Sequence, residues 1–356
     1  MHLNRVHRVT GILVLLIIML ITALQPCSAA QAASGFLPKK NHKGVLYQAR
    51  PPAETTTVLL LGYDHQAHGQ QTELHGYNSG GQSDFMLLMV FDHVQEKIRM
   101  LQIDRDTMTM IKPVAYTGQQ LSPRLFQICL AHAYGRSREE NNANAVWAVE
   151  NMLGIAGDYD GAQVDFYVAM DISGISRLND LLGGVTVTIT EDMTAFDPAM
   201  EAGKTMTLTG SQAEIFCRGR YGVGDQTNAS RMQRQRVYMD AAGDKLIERV
   251  HANAGFATEL LNGMGLIHDR TVDRSNPFAA AVDETPTGDA NGRYLMSNES
   301  VSGIVNLLAR VIDYESDPIE TLAGTHRLGQ DGYIWLELEE DVAVEWALSA
   351  MYVLDE

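Results

Sequence analysis

Read as a pattern of apolar and polar positions, the chain sorts into short apolar runs that end on charged residues. From Thr57 the sequence TVLLLGYD is an apolar run closing on Gly62-Tyr63-Asp64. Such a run predicts a buried strand with Asp64 at its C-terminal mouth. A polar stretch rich in Gly, Gln and His follows, His65 to Gln82. It is too long for a turn and is expected as a substrate-facing flap. Ser83-Asp84 then opens the run Phe85 to Asp92, and after HVQE comes Lys97 to Asp104. Two runs this close predict an antiparallel hairpin, whose second strand delivers Arg105-Asp106-Thr107. Three strand ends thus present Asp64, Asp84 and Arg105 with Asp106, the position where open α/β sheets keep their chemistry.

Residues 113–135 show no period, whereas Asn144 to Leu153 has helical spacing. Val164 to Met170 alternates as a strand, Ile172 to Leu182 reads as a helix stopped by Gly183-Gly184, and Val185 to Thr190 reads as a further strand. A helix between two strands predicts a crossover within one sheet, and so a layered α/β/α domain with a central mixed sheet flanked by helices. Thr209-Gly210-Ser211 caps a helix over Gln212 to Cys217. Further on, Ser300 to Ile312 and Asp341 to Tyr352 are amphipathic and expected to pack back as a C-terminal appendage.

The N-terminus carries Arg5, His7 and Arg8 ahead of an apolar run from Val9 to Leu24. Positive charge before the run and none directly after orients it with the downstream chain exported. Its length suits either a membrane anchor or a cleaved signal, and small residues from Ser28 to Ala33 offer a cleavage site. The expected organisation is a membrane or signal segment over 1–33, a linker over 34–55, a catalytic domain over 56–250 and a C-terminal accessory region over 251–356.

Charge sharpens the picture. The 356 residues carry a formal net charge of −17, which argues against general nucleic-acid binding, and no helix-turn-helix pattern is present. Against that background, Phe216 to Arg236 (FCRGRYGVGDQTNASRMQRQR) sets Arg218, Arg220, Arg231, Arg234 and Arg236 against the single acid Asp225. Guanidinium forks match phosphate or carboxylate oxygens two at a time, so arginines without lysine favour an anion clamp. Arg231, Arg234 and Gln235 fall at i, i+3 and i+4 and share one helical face. The reading is a helix ending near Cys217, a loop with Gly219, Gly222 and Gly224, and a new helix from near Asn228. The competing reading is an exposed arginine-rich helix held by surface salt bridges, against which stands the scarcity of acids at i±4. Cys129 and Cys217 remain as either a disulfide or two free thiols.

The order LLLGYD, QSDFMLLMVFD, IDRDT, HAYG, LLGGVTVTI, TGSQAEIFCRGR and SRMQRQR closely resembles the LytR-CpsA-Psr family of cell-wall enzymes, over roughly residues 56 to 245. The resemblance implies an exported, single-pass membrane protein that transfers a glycopolymer of teichoic acid or capsule type from a polyprenyl-pyrophosphate carrier to peptidoglycan. It implies that Asp64 and Asp84 hold Mg²⁺ and that Arg105, Arg218, Arg220, Arg231 and Gln235 bind the pyrophosphate, with Asp106 and Arg234 supporting them. Catalysis then rests on Asp84, Arg105, Asp106, Arg218 and Arg220. Two departures stand out: the family's arginine two residues before the second Asp is Gln82 here, and its acid three residues before the helix arginine is Asn228. The chemistry agrees independently, because arginines and a hard cation neutralise the charge of phosphoryl transfer. Asp84, Asp106 and His132 are candidates for the base, His132 being expected rather as a packed residue. Hydrolysis at the same site by a polyprenyl-pyrophosphate phosphatase, and a non-catalytic binder of lipid pyrophosphate, are the alternative readings.

Overall fold

The computed structural model describes residues 39–64, 81–115, 119–135, 137–156, 162–219, 222–224, 228–253, 255–269, 292–330 and 332–355. The predicted membrane segment, most of the flap, Asp225 and Arg220 lie outside them. Strands in chain order are β1 (Lys39–His42), β2 (Val45–Ala49), β3 (Thr55–Tyr63), β4 (Ser83–Asp92), β5 (Lys97–Gln102), β6 (Met108–Ile111), β7 (Arg124–Gln127) and β8 (Phe166–Asp171). They continue with β9 (Val185–Thr188), β10 (Thr205–Leu208), β11 (Ile267–His268), β12 (Leu295–Ser297), β13 (Glu315–Ser316), β14 (Gly324–Leu328), β15 (Ile334–Leu338) and β16 (Tyr352–Leu354). The helices are α1 (Arg138–Met152), α2 (Gly174–Leu182), α3 (Gly210–Arg218), α4 (Asn228–Ala252), α5 (Phe256–Gly263), α6 (Val301–Val311) and α7 (Val342–Met351). Among the described residues no helix is long and apolar enough to cross a membrane.

Two compact units divide the chain. The first takes residues up to Tyr167 together with Ile319–Glu356, and the second takes Val168–Asp269 with the segment ending at Pro318. In the first, β3, β4 and β5 pair antiparallel, with Thr55 opposite Asp92 and Leu87 opposite Gln102. Val58 to Leu61 and Met86 to Phe91 are buried on both faces, which is why these strands read as unbroken apolar runs. The segment expected as a linker over 34–55 holds instead the β1–β2 hairpin, turned at Lys43-Gly44 with φ of 52° and 83°. Positive φ at both corners suits a tight hairpin turn. β16, the last strand, closes this small sheet by pairing with β2.

In the second unit β12 runs antiparallel to β8 and β11 parallel to β12, so pairing is mixed as expected. The crossover reading of β8, α2 and β9 does not hold, because β9 pairs with β10 as a separate two-stranded ribbon. Only Val185 and Val187 of β9 are buried. Thr186 and Thr188 face solvent and hydrogen-bond across to Thr207 (2.8 Å) and Thr205 (2.9 Å), so the strand has one covered face. Buried Asn179 anchors the ribbon to the helices: its side chain donates to the Leu208 carbonyl (2.9 Å) and accepts from Val185 N–H (3.1 Å) and from the Tyr238 hydroxyl on α4 (3.3 Å).

Candidate active site

In the first unit the ends of β3 and β4 bring the predicted carboxylates onto neighbouring strands. Asp64 N–H donates to the Gln82 carbonyl (3.1 Å) just beyond a register irregularity at Gly62/Tyr63. The approach requires glycine at 81, where a Cβ would fall 1.1 Å from the Asp64 carbonyl oxygen. Arg105, just past β5, lies among these residues. Its guanidinium donates to the Asp84 carboxylate through Nη1, to Gln82 Oε1 through Nη2, and to Cys129 Sγ at 3.3 Å. Its Nε stands 3.6 Å from Asp106 Oδ1. Burial alone lowers the Arg105 pKa, but Cys129, Asp84 and Asp106 more than offset it, so the guanidinium stays charged. Burial likewise pushes the Cys129 thiol up, to about 11, so the sulfur is a neutral neighbour at physiological pH.

Asp106 is buried, and it is framed by residues that sequence reasoning missed. Gln127 Nε2 donates to Asp106 Oδ1 (3.1 Å) and to the Ile334 carbonyl (2.6 Å), while Leu336 N–H donates to the Asp106 carbonyl (2.8 Å). The C-terminal hairpin β14–β15 therefore braces the loop that carries Arg105 and Asp106. No local signal marks this, because each contact joins residues far apart in sequence. His132 is packed as expected: its ring stacks on Tyr63, with centroids 4.5 Å apart, and its two nitrogens face the Gly81 carbonyl (2.7 Å) and Asn142 Oδ1 (3.1 Å).

In the second unit the arginine face of α4 is present. Arg231, Arg234 and Gln235 are all buried on it, whereas Ala229 and Gln233 are exposed. Arg231 Nη2 donates to Asn228 Oδ1 (2.6 Å). Arg234 is 1% exposed and donates to Glu191, to Ser230 Oγ (3.0 Å) and to the carbonyls of Phe216 (3.1 Å) and Gly219. Those bonds tie the end of α3 and the loop at Glu191 to α4, a supporting role. Arg218 closes α3 on the surface, paired with Glu214 one turn back (2.6 Å). Acids at i±4 are thus less scarce than the sequence reading supposed, since Asp240 also lies one turn beyond Arg236 and acts on its charge. Cys217 is a buried free thiol, as is Cys129, so the disulfide alternative falls away.

Asp64 and Asp84, at adjacent strand ends, are the residues that would hold a cation such as Mg²⁺, whose preference for hard oxygen donors two carboxylates meet. A different cluster, His42, Asp341 and Glu345, brings its ligand atoms within 4.8 Å of one another. There the Lys43 ammonium already bridges Asp341 (3.2 Å) and Glu345 (2.7 Å), an ion-paired tie between the β1–β2 turn and the start of α7.

Compared with known proteins, residues 25–253 match the LytR_cpsA_psr family model, well over half the chain. The chain belongs to the LytR_cpsA_psr family. Among curated members, Biofilm regulatory protein A of Streptococcus mutans serotype c is 26% identical over 202 residues, 54% of this chain and 44% of that protein. The Polyisoprenyl-teichoic acid--peptidoglycan teichoic acid transferase TagU of Bacillus cereus is 25% identical over 202 residues, 57% of this chain and 56% of that protein. The chain thus spans about half the length of the curated relatives it matches. Among solved structures, protein gbs0355 from Streptococcus agalactiae superposes with a TM-score of 0.57 at 20% identity, covering 85% of this chain and 90% of that one, which supports the shared mixed α/β fold. The LytR_cpsA_psr match covers β3 to β5 with the Arg105 loop as well as α3 and all of α4, so both groups of predicted residues fall within it.

Proposed function

We propose that this protein is an extracytoplasmic phosphotransferase that moves a glycopolymer from a polyprenyl-pyrophosphate carrier onto peptidoglycan. The observation that carries the reading is the Arg105 cluster: a charged, largely buried guanidinium flanked by Asp84 and Asp106 at the ends of neighbouring strands. Membership of the LytR_cpsA_psr family and the printed name of the TagU relative support the substrate class. In this reading Arg105, Arg218, Arg220, Arg231 and Gln235 bind the pyrophosphate, Arg234 and Asp106 support them, and residues 1–33 anchor the chain with its catalytic domain outside the membrane.

A hydroxyl of the acceptor sugar attacks the phosphorus next to the glycopolymer. The bond from that phosphorus to the bridging oxygen breaks, polyprenyl phosphate leaves, and the hydroxyl proton passes to a carboxylate of the Arg105 cluster, Asp106, or Asp84 when it holds no metal. Both ring nitrogens of His132 already face protein oxygens, which counts against it as that base. Arginines aimed at the equatorial oxygens lower the barrier because they stabilise charge where it develops. Mg²⁺, held by Asp64 and Asp84, would add hard-cation neutralisation of the pyrophosphate oxygens.

The test is turnover by the purified full chain with Mg²⁺, a short polyprenyl-pyrophosphoryl saccharide and a peptidoglycan fragment. A phosphodiester-linked product on the fragment is the expected result. Release of free phosphorylated saccharide as the main product, fragment or not, would overturn transfer in favour of hydrolysis, and binding without turnover would overturn both.

A further inference from the structure

Two side chains that the proposed reaction leaves without a role, Gln82 and Cys129, close on the same nitrogen of Arg105. Nη2 donates to Gln82 Oε1 and to Cys129 Sγ (3.3 Å), while Nη1 is engaged by Asp84 on the other arm of the fork. Cys129 is itself tied to this segment. Its N–H donates to the Arg105 carbonyl (3.2 Å), its carbonyl faces Ser83 Oγ (3.5 Å), and its thiol lies 3.9 Å from Gln82 Oε1. The sulfur is fully buried and the whole arrangement sits in the first unit. Arginine carries a long, rotamer-rich stem, so a guanidinium held by neutral groups on one arm keeps its charge while losing its freedom.

We propose that Gln82 and Cys129 are positioning residues that fix the Arg105 guanidinium for the anion it binds, without neutralising it. The inference rests on the proposed phosphotransferase reading and adds to it the determinants of Arg105 geometry. Neither side chain touches the reacting atoms; each acts through Arg105. An acceptor on Nη2 that bears no charge adds no further ion pair to those Arg105 already makes with Asp84 and Asp106, whereas a third carboxylate there would draw still more of its charge away from phosphate.

The experiment measures inorganic pyrophosphate binding by calorimetry on the full chain, alongside turnover and thermal midpoint, for Gln82→Ala, Cys129→Ala, Cys129→Ser, Arg105→Ala and the Gln82→Ala/Arg105→Ala pair. Gln82→Ala and Cys129→Ala are each expected to weaken binding roughly 10-fold, the worth of one hydrogen bond to a charged group. Cys129→Ser, whose hydroxyl still accepts from Nη2, recovers most of the loss. In the Arg105→Ala background, Gln82→Ala has no further effect, a non-additivity that a merely structural role would not produce. Equal cost of Gln82→Ala with and without Arg105, or wild-type affinity in both single variants, overturns this inference alone. Pyrophosphate binding and turnover indifferent to Arg105→Ala overturn the phosphotransferase site as well.

Discussion

Replacing Arg234 by leucine separates support from ligand binding among the arginines of the second unit. Arg234 is 1% exposed, and its loss strips Glu191 of its cationic partner, leaving it the Ser230 hydroxyl, and leaves the carbonyls of Phe216 and Gly219 short of a donor. Breaking a buried ion pair from one side costs about 3–5 kcal/mol, and water reaching Glu191, whose side chain is 22% exposed, holds the value toward the lower end. At roughly 1–3 kcal/mol per molar of urea this moves the unfolding midpoint down by about 1–3 M. Circular dichroism is the right probe, because α4 supplies 25 helical residues to this unit, whereas Trp147, Trp335 and Trp346 all lie in the first. Arg218→Ala is the control: an exposed pair with Glu214 is worth no more than about 1 kcal/mol. The Arg234→Leu/Glu191→Leu double variant should regain part of the loss, since an apolar pair leaves no stranded charge. A midpoint shift for Arg234→Leu no larger than that of Arg218→Ala would refute the supporting role.

The other expectations concern ligand and pH. Arg218→Ala should cut turnover by about 10²-fold or more while stability holds, the scale of losing one preorganised donor; undiminished turnover removes Arg218 from the site. Asp84→Ala should weaken Mg²⁺ binding, followed by calorimetry on the full chain, by at least about 10-fold, and equal affinity would show that Asp84 is no ligand. Asp240 is raised to about 6, by burial first and then by Asp244, with Arg236 opposing. Its protonation therefore favours the folded state: that stability is fully present below the ordinary carboxylate range and is lost as pH rises through about 6. Asp240→Asn should accordingly stabilise the protein above neutrality by about 1–2 kcal/mol after allowance for solvent screening, with the gain vanishing toward pH ~4. A pH-independent difference would refute it.

What the sequence makes legible follows from how local the physics is. β3 and β4 are continuous apolar runs because both faces are covered, so their limits and the charged residues at their ends can be read directly, while β5, with Lys97 and Arg99 half-exposed, is read from its place in the hairpin. The shared face of Arg231, Arg234 and Gln235 follows from helical period alone. By contrast, β1 and β2 were unreadable because their sheet is completed by β16 at the far end of the chain. The Glu191 partner of Arg234 lies 43 residues away, and the bracing of Asp106 by Leu336 is more distant still. β9 misled for a related reason: alternation announces one buried face but does not say which strand lies alongside.

The two departures from the family pattern share a physical character. Gln82 stands where the family carries an arginine and Asn228 where it carries an acid, yet each carboxamide oxygen accepts from a site arginine, Gln82 from Arg105 and Asn228 from Arg231 (2.6 Å). One positive and one negative charge are given up together; at 228 an acceptor is retained, and at 82 an acceptor stands in place of a donor. At 228 the carboxamide holds Arg231 in place without itself bringing a negative charge to it. Asn228→Asp tests this directly, because a carboxylate at that buried position would claim Arg231 as an ion pair. A unit charge ~7 Å from a phosphate contributes about 2 kcal/mol at an effective dielectric of ~20. After screening, pyrophosphate affinity should fall roughly 10-fold by calorimetry, while the folded protein gains or holds stability. An unchanged affinity would mean that the Arg231 guanidinium does not face the anion.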